Sequence, residues 1–203
     1  MKRIQKPLNK YTLKERVQFY AIALPTWPAP RADNRWIDGI WVLGNNYQGT
    51  GYYGSYPPTY LRRIEALFPD AKRVLHLFSG SLPRSSRYTR FDQIEDTDIK
   101  GDAEILERYF QKESFDLIIA DPPYSDADAI KYGFPNCEKP KQNINVRRVF
   151  KGAHYILELG GFLVWLDIRN PMFSKLEWNL CGLFGIVGST NHRFRITTIY
   201  EKQ

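Results

Sequence analysis

Residues 115–129 read FDLIIADPPYSDADA. Four apolar residues, Leu117 to Ala120, lead directly into Asp121, two prolines and Tyr124. A short apolar run bounded by turn residues reads as a buried strand. Prolines donate no ladder hydrogen bond and stiffen the backbone. Asp121 therefore stands where the strand leaves the sheet, on a rigid turn with a carboxylate and a ring at its tip. That arrangement suits a built site better than a connector.

Other short runs repeat the pattern. RVLHLF (73–78) and FLVWLDI (162–168) read as buried strands, and YTRFDQ (88–93) as a weaker one. Between them, AEILERYF (103–110) is amphipathic and helical, and NVRRVFKGAHYILEL (145–159) reads as a helix stopped by Gly160 and Gly161. Helices are also expected over 11–23 and 58–68, the latter with Leu61, Ile64 and Leu67 at helical spacing. FGIVGSTNHRFRITTIYE (184–201) reads as two strands around a turn, so the sheet is expected to finish in an antiparallel pair. Alternation of this kind predicts a three-layer α/β domain on a mostly parallel sheet. Residues 1–50 read as a basic, Pro- and aromatic-rich extension, and 51–203 as the main domain.

A chain of 203 residues with 43% hydrophobic residues has enough apolar surface for one packed domain. Its net charge of +7 fits a polyanionic partner, and 13 tyrosines beside basic residues favour base stacking or core packing. Cys137 and Cys181 form no CxxC pair, and His76, His154 and His192 are scattered, so no metal ligand set is expected. No apolar run reaches membrane-spanning length. The N-terminal KERVQFYAIALPTWPAP is interrupted by Gln18 and Pro25, which argues against a signal peptide. A cytoplasmic protein is the expectation.

Ligands of such sheets bind at the carboxyl ends of the strands. Three more segments fall there. In VLHLFSGSLP (74–83) Gly80 lets backbone approach a ligand closely. Asp92 closes the second strand, where an acid can accept both hydroxyls of a ribose. Asp102, in KGDA, closes a third, where an acceptor could meet an adenine amino group.

In this order, LFSGS, Asp92, GDA and ADPPY resemble the motifs of class I S-adenosylmethionine-dependent methyltransferases, with a Rossmann-like sheet. The tetrapeptide Asp121–Tyr124 is similar to the signature of amino-methyltransferases acting on adenine N6 in DNA, and the compact chain looks like the small phage-type enzymes. The segment GYYGSYPPTYLRRI (51–64) resembles one that helps cover the methionine end of the cofactor. The resemblance implies S-adenosylmethionine held by Tyr56, Pro57, His76, Phe78, Ser79, Gly80, Ser81, Asp92, Asp102 and Ala103. It implies Asp121, Pro122, Pro123 and Tyr124 as the catalytic set, with Asp121 and the Pro122 carbonyl accepting the amine hydrogens and Tyr124 stacking on a flipped-out base. Double-stranded DNA is the expected partner. RNA, or a non-catalytic nucleic-acid-binding role on the same scaffold, stays open as an alternative.

Departures from the family pattern are His76, where an acid is frequent, and Leu82, where a second loop glycine is common. Only the short RSSRYTR separates Pro83 from Asp92's strand end, so the helix after the glycine loop is expected to be shortened or missing. His76 reads better as a satisfied core histidine than as a catalytic group. Two basic segments could meet phosphates: the loop after the tetrapeptide, with Lys131, Lys139, Lys141, Arg147 and Arg148, and TNHRFR, with Asn191, His192, Arg193 and Arg195.

Overall fold

Short apolar runs separated by helices or loops close into one sheet. The computed structural model describes residues 11–43, 56–57, 59–94, 96–124, 144–188 and 194–203. The helices are α1 (Leu13–Ala23), α2 (Tyr60–Leu67) and α3 (Val146–Ile156), with a 3₁₀-helix over Ala103–Arg108. The strands are β1 (Arg31–Ala32), β2 (Ile37–Val42), β3 (Val74–Leu77), β4 (Tyr88–Asp92), β5 (Ile99–Lys100), β6 (Phe115–Ala120), β7 (Leu157–Asp167), β8 (Trp178–Val187) and β9 (Arg195–Lys202). They form a nine-stranded sheet in the order β1-β2-β8-β9-β7-β6-β3-β4-β5.

From β5 to β7 every pairing is parallel. β9 inserts antiparallel between β7 and β8, so the final strand pair lies inside the sheet. β2 then adds parallel to β8, and β1 antiparallel to β2. Gly182 lets β2 come close, since a Cβ there would lie 2.4 Å from Ile37. The GIWV segment is thus a sheet strand, which its Gly- and Tyr-rich surroundings hid.

Alternating side chains feed two cores, one on each face. Leu117 and Ile119 join Trp41, Tyr60, Phe68 and Phe162 under α1 and α2. Ile118 and Ala120 join Phe150, Trp165, Trp178 and Tyr200 under α3 and the 3₁₀-helix. The expected three layers are present.

Several boundaries differ from expectation. The helix expected over 145–159 ends at Ile156, and β7 begins at Leu157. Gly160 and Gly161 lie inside that strand, at a register shift where Phe115 faces Leu157 but Leu117 faces Phe162. Gly160 has φ 68°, and a Cβ on Gly161 would lie 2.9 Å from a carbonyl, so these glycines shape a bulge, not a helix stop. The 103–110 segment is a 3₁₀-helix kinked at Ile105. In α2, Tyr60 takes the deeply buried place beside Ile64 and Leu67, while Leu61 is partly buried. β8 begins at Trp178, ahead of the expected Phe184. Residues 78–87 form turns with no helix, as the short loop implied.

Candidate active site

Sheet order reverses at β3, whose neighbours are β4 on one side and β6 on the other. A crevice opens at such a switch point, beyond the strand carboxyl ends. Leu77 pairs with Ala120, so Phe78 and Asp121 leave the sheet side by side. The loop 78–81 and the tetrapeptide 121–124 therefore share one end of the fold.

The loop has unusual backbone. Phe78 and Gly80 have φ 57° and 51°. Glycine adopts that region without strain, whereas phenylalanine does so at a cost that the Phe78–Trp165 ring contact helps offset. Ser79 is buried, and among the described residues its Oγ has no hydrogen-bond partner. An orphaned buried hydroxyl here is an acceptor and donor with nothing yet to serve. The Gly80 N–H donates to Asp92 Oδ2 at 3.0 Å, and the Ile94 N–H to Oδ1 at 2.9 Å. Asp92 is thereby fixed at the end of β4 against the glycine loop. Asp102 caps the 3₁₀-helix by accepting the Glu104 N–H at 2.9 Å, and Ala103 is buried behind it. Ser81 is exposed.

Gly101 precedes that acid, and a Cβ there would lie 2.5 Å from the Tyr109 ring and 2.8 Å from Phe91. Gly101→Ala is expected to lower stability by about 1–3 kcal/mol through overpacking. Urea denaturation checks this, and a change below a few tenths of a kcal/mol would show that the Tyr109 ring moves aside freely.

The wall facing Asp121 is aromatic. Tyr56 and Pro57 are buried, and Tyr56 stacks on Tyr60 with centroids 5.6 Å apart. The Tyr60 and Thr197 hydroxyls bond at 3.0 Å. The Tyr56 hydroxyl lies 3.3 Å from His76 Nδ1. Burial pushes His76 down to about 4, so at neutral pH it is an uncharged partner of Tyr56 packed edge-on against Tyr88. The core reading of His76 accounts for all of this. Leu82 packs against the core, and its N–H closes a turn onto the Ser79 carbonyl at 3.0 Å.

Asp121 is half-buried, Pro122 buried, and Pro123 and Tyr124 half-buried. The Tyr124 hydroxyl donates to Asp121 Oδ1 at 2.6 Å. Among the described residues no hydrogen bond reaches Oδ2. Burial raises the Asp121 carboxyl to about 6; the Arg195 cation and the Tyr124 hydroxyl pull it back, and Asp167 pushes it further up. The Arg195 guanidinium carbon lies 5.5 Å from the Tyr124 ring centroid.

The fold thus gathers Asp121, Tyr124 and Arg195, with Asp167, Tyr56 and Tyr60 around them. Arg147 and Arg148 are exposed on the first turn of α3. Lys131, Lys139, Lys141, Asn191, His192 and Arg193 lie outside the described residues. Sequence reasoning passed over Tyr60 and Asp167. Asp167 carries the same signal as Asp121, an acid closing an apolar strand, in the stretch LVWLD.

No known family profile matches the sequence, and no curated protein matches it. The structure is similar to that of TrmN from Thermus thermophilus, with TM-score 0.53 and 19% identity over 74% of this chain. That match covers 50% of the TrmN chain, so this chain spans about half its length. Weaker likenesses include an rRNA methylase from Streptococcus thermophilus, at TM-score 0.37 and 14% identity, covering 96% of this chain and 98% of that one. A further one is a protein from Streptococcus mutans, assigned as a methyltransferase and solved in complex with SAH. It has TM-score 0.34 and 14% identity, covering 97% of this chain and all of that one. The TrmN match bears on the fold alone: it supports a Rossmann-like, mostly parallel sheet, which here ends at one edge in β2 and β1.

Proposed function

We propose that this chain transfers a methyl group from S-adenosylmethionine to the exocyclic N6 amine of adenine in DNA. In this reading residues 51–203 are the methyltransferase domain and residues 1–50 extend it. The observation that carries it is Asp121, a carboxylate at the switch point with Tyr124 on one oxygen and none of the described residues on the other.

The residues present fit the cofactor. Ser79 offers an unsatisfied buried hydroxyl beside the glycine backbone, and Asp92 is held against that same loop. Ser79, Gly80 and Asp92 would hold the methionine and ribose portions, and Asp102 and Ala103 the adenine. When bound, S-adenosylmethionine supplies an electrophilic methyl group.

Everything else falls to the chain. An exocyclic purine amine is a poor nucleophile because its lone pair is delocalised into the ring. Asp121 Oδ2 and the Pro122 carbonyl accept its two hydrogens and so aim that lone pair. Two prolines keep those acceptors fixed, and the catalysis is positioning plus electrostatics. No nucleophilic side chain is needed. The target base must leave the duplex, at a cost of about a few kcal/mol that stacking on aromatic side chains offsets.

Only the ionised carboxylate accepts without also donating. The rate is therefore expected to fall as pH drops through about 6 and to level off above it. Single-turnover rates from pH 5 to 8.5 check this, and a flat profile would remove Asp121 from the acceptor role. The function itself is tested by incubating the protein with S-adenosylmethionine and unmethylated double-stranded DNA or RNA, then digesting both to nucleosides for mass spectrometry. N6-methyladenine in DNA is expected. A methylated base in RNA alone would transfer the reading to an RNA amino-methyltransferase, and no methyl on either would overturn it.

A further inference from the structure

We propose that Arg195 is a positioning residue of the Asp121–Tyr124 site, clamping from β9 the Tyr124 ring that bonds Asp121, and not a phosphate contact. This rests on reading Asp-Pro-Pro-Tyr as the transfer site.

Arg195 opens β9, the strand held antiparallel on both sides by β7 and β8. Its backbone pairs with Ile186, and the next residue, Ile196, pairs with Asp167. The side chain thus starts from a rigid strand end at the edge of the crevice. It is half-buried, and its charge acts inward, lowering both Asp121 and Tyr60. Its guanidinium carbon sits 5.5 Å from the Tyr124 centroid, within cation–π range. Tyr124 is thereby held by its ring from Arg195 and by its hydroxyl through Asp121 at 2.6 Å.

Charge balance gives the second half of the role. Asp167, at the end of β7, pushes the Asp121 carboxyl up and the Tyr124 hydroxyl pulls it down, while the Asp121 charge reaches Tyr56 ahead of α2 and Tyr60 at its first position. Asp92 acts on the same Tyr56. Among the described residues, Arg195 is the cation whose charge acts on Asp121 within this group of acids and phenols. Lysine at this position would keep the charge but lose the planar face that lies over a ring.

The test uses the full-length chain and the variants Arg195→Met, Arg195→Lys and Asp121→Asn, with Arg195→Gln in place of Met if that variant does not fold. The Asp121 carboxyl is titrated by 13C NMR, its resonance assigned from Asp121→Asn. This needs neither cofactor nor substrate. Loss of the cation is expected to move the midpoint up by about one pH unit or more, and lysine to restore most of it. The acid limb of the methyl-transfer profile should move with it. The maximal rate should fall between about tenfold and a hundredfold, while KM for DNA stays within about twofold. Lysine should recover the limb but not the full rate. An unmoved carboxyl midpoint would overturn the proposal. If it came with a salt-dependence slope of DNA binding reduced by about one, it would mark Arg195 as a phosphate contact. Should the wild-type chain methylate no nucleic acid, the functional reading fails, while the NMR midpoint still decides the role of Arg195.

Discussion

Asp121→Asn is expected to give a protein that is more stable at pH 8 and nearly inactive. The sign follows from linkage. Burial holds the folded carboxyl at about 6, against an ordinary value of 3.8. The folded chain therefore binds this proton more tightly than the unfolded chain does. Below about pH 4 both states are protonated and the group costs nothing. Between there and about pH 6 stability falls, and above that the full penalty is present. A shift of this size corresponds to at most about 3 kcal/mol, and the partly exposed position reduces it to on the order of 2 kcal/mol. Asparagine keeps the shape and can still accept the Tyr124 hydroxyl, but carries no charge to desolvate. Denaturation at pH 8 should show the gain, and at pH 4 the gain should vanish. Activity should fall by about 10²–10³-fold, because the amide replaces one acceptor with a donor facing the amine's own hydrogens. An asparagine variant less stable than wild type at pH 8 would mean that the ionised acid contributes to the fold, and the raised pKa would be wrong. Opposite changes in stability and rate would mark Asp121 as a residue kept for chemistry.

Much of this was legible in the chain itself. FDLIIAD announces a strand because four apolar residues have no partner pattern but burial on two faces, and the acid after them can only sit at an end. RVLHLF and YTRFD gave the neighbouring strands for the same reason. Local pattern failed where a distant contact overrules it. Gly160 and Gly161 have the composition of a helix stop, but they sit in a bulge where the pairing steps from Phe115–Leu157 to Leu117–Phe162. GIWV is a strand because Gly182 on β8 lets it dock, and nothing within residues 37–42 reports a glycine so far along the chain. Arg195 lies in a basic segment, and basic segments suggest phosphates; that it lies over Tyr124 follows from strand order, which no local window carries.

Arg16→Ala is expected to be among the most damaging substitutions away from the site, lowering stability by about 3–5 kcal/mol. Thr12 and Glu15 cap α1 reciprocally and place Arg16 on its inner face. The side chain is 1% exposed. It forks onto Asp70, with Nη1 and Nη2 donating at 2.7 and 2.9 Å, and Nη1 also donates to the Leu67 carbonyl at 3.1 Å. Its guanidinium carbon lies 4.8 Å from the rings of both Phe68 and Phe162. One residue therefore joins α1, the end of α2 and the face of β7. Alanine would remove the cation, leave a carbonyl and a carboxylate without their donor, and open a void between two rings. For a chain of this length the melting temperature should fall by about 10 °C. Lysine should recover only part of the loss, since a point charge cannot fork. Changing both partners, Arg16→Leu with Asp70→Leu, should cost less than Arg16→Ala alone, because no charge is then left unpaired. Urea denaturation followed by tryptophan fluorescence and by far-UV circular dichroism reads wild type and the three variants. Coincident single transitions are expected, since Trp41 on β2 shares a core with Phe68 and Phe162. An Arg16→Ala variant within about 1 kcal/mol of wild type would show the pair to be no stronger than a surface ion pair, and α1 to be held by its apolar face alone.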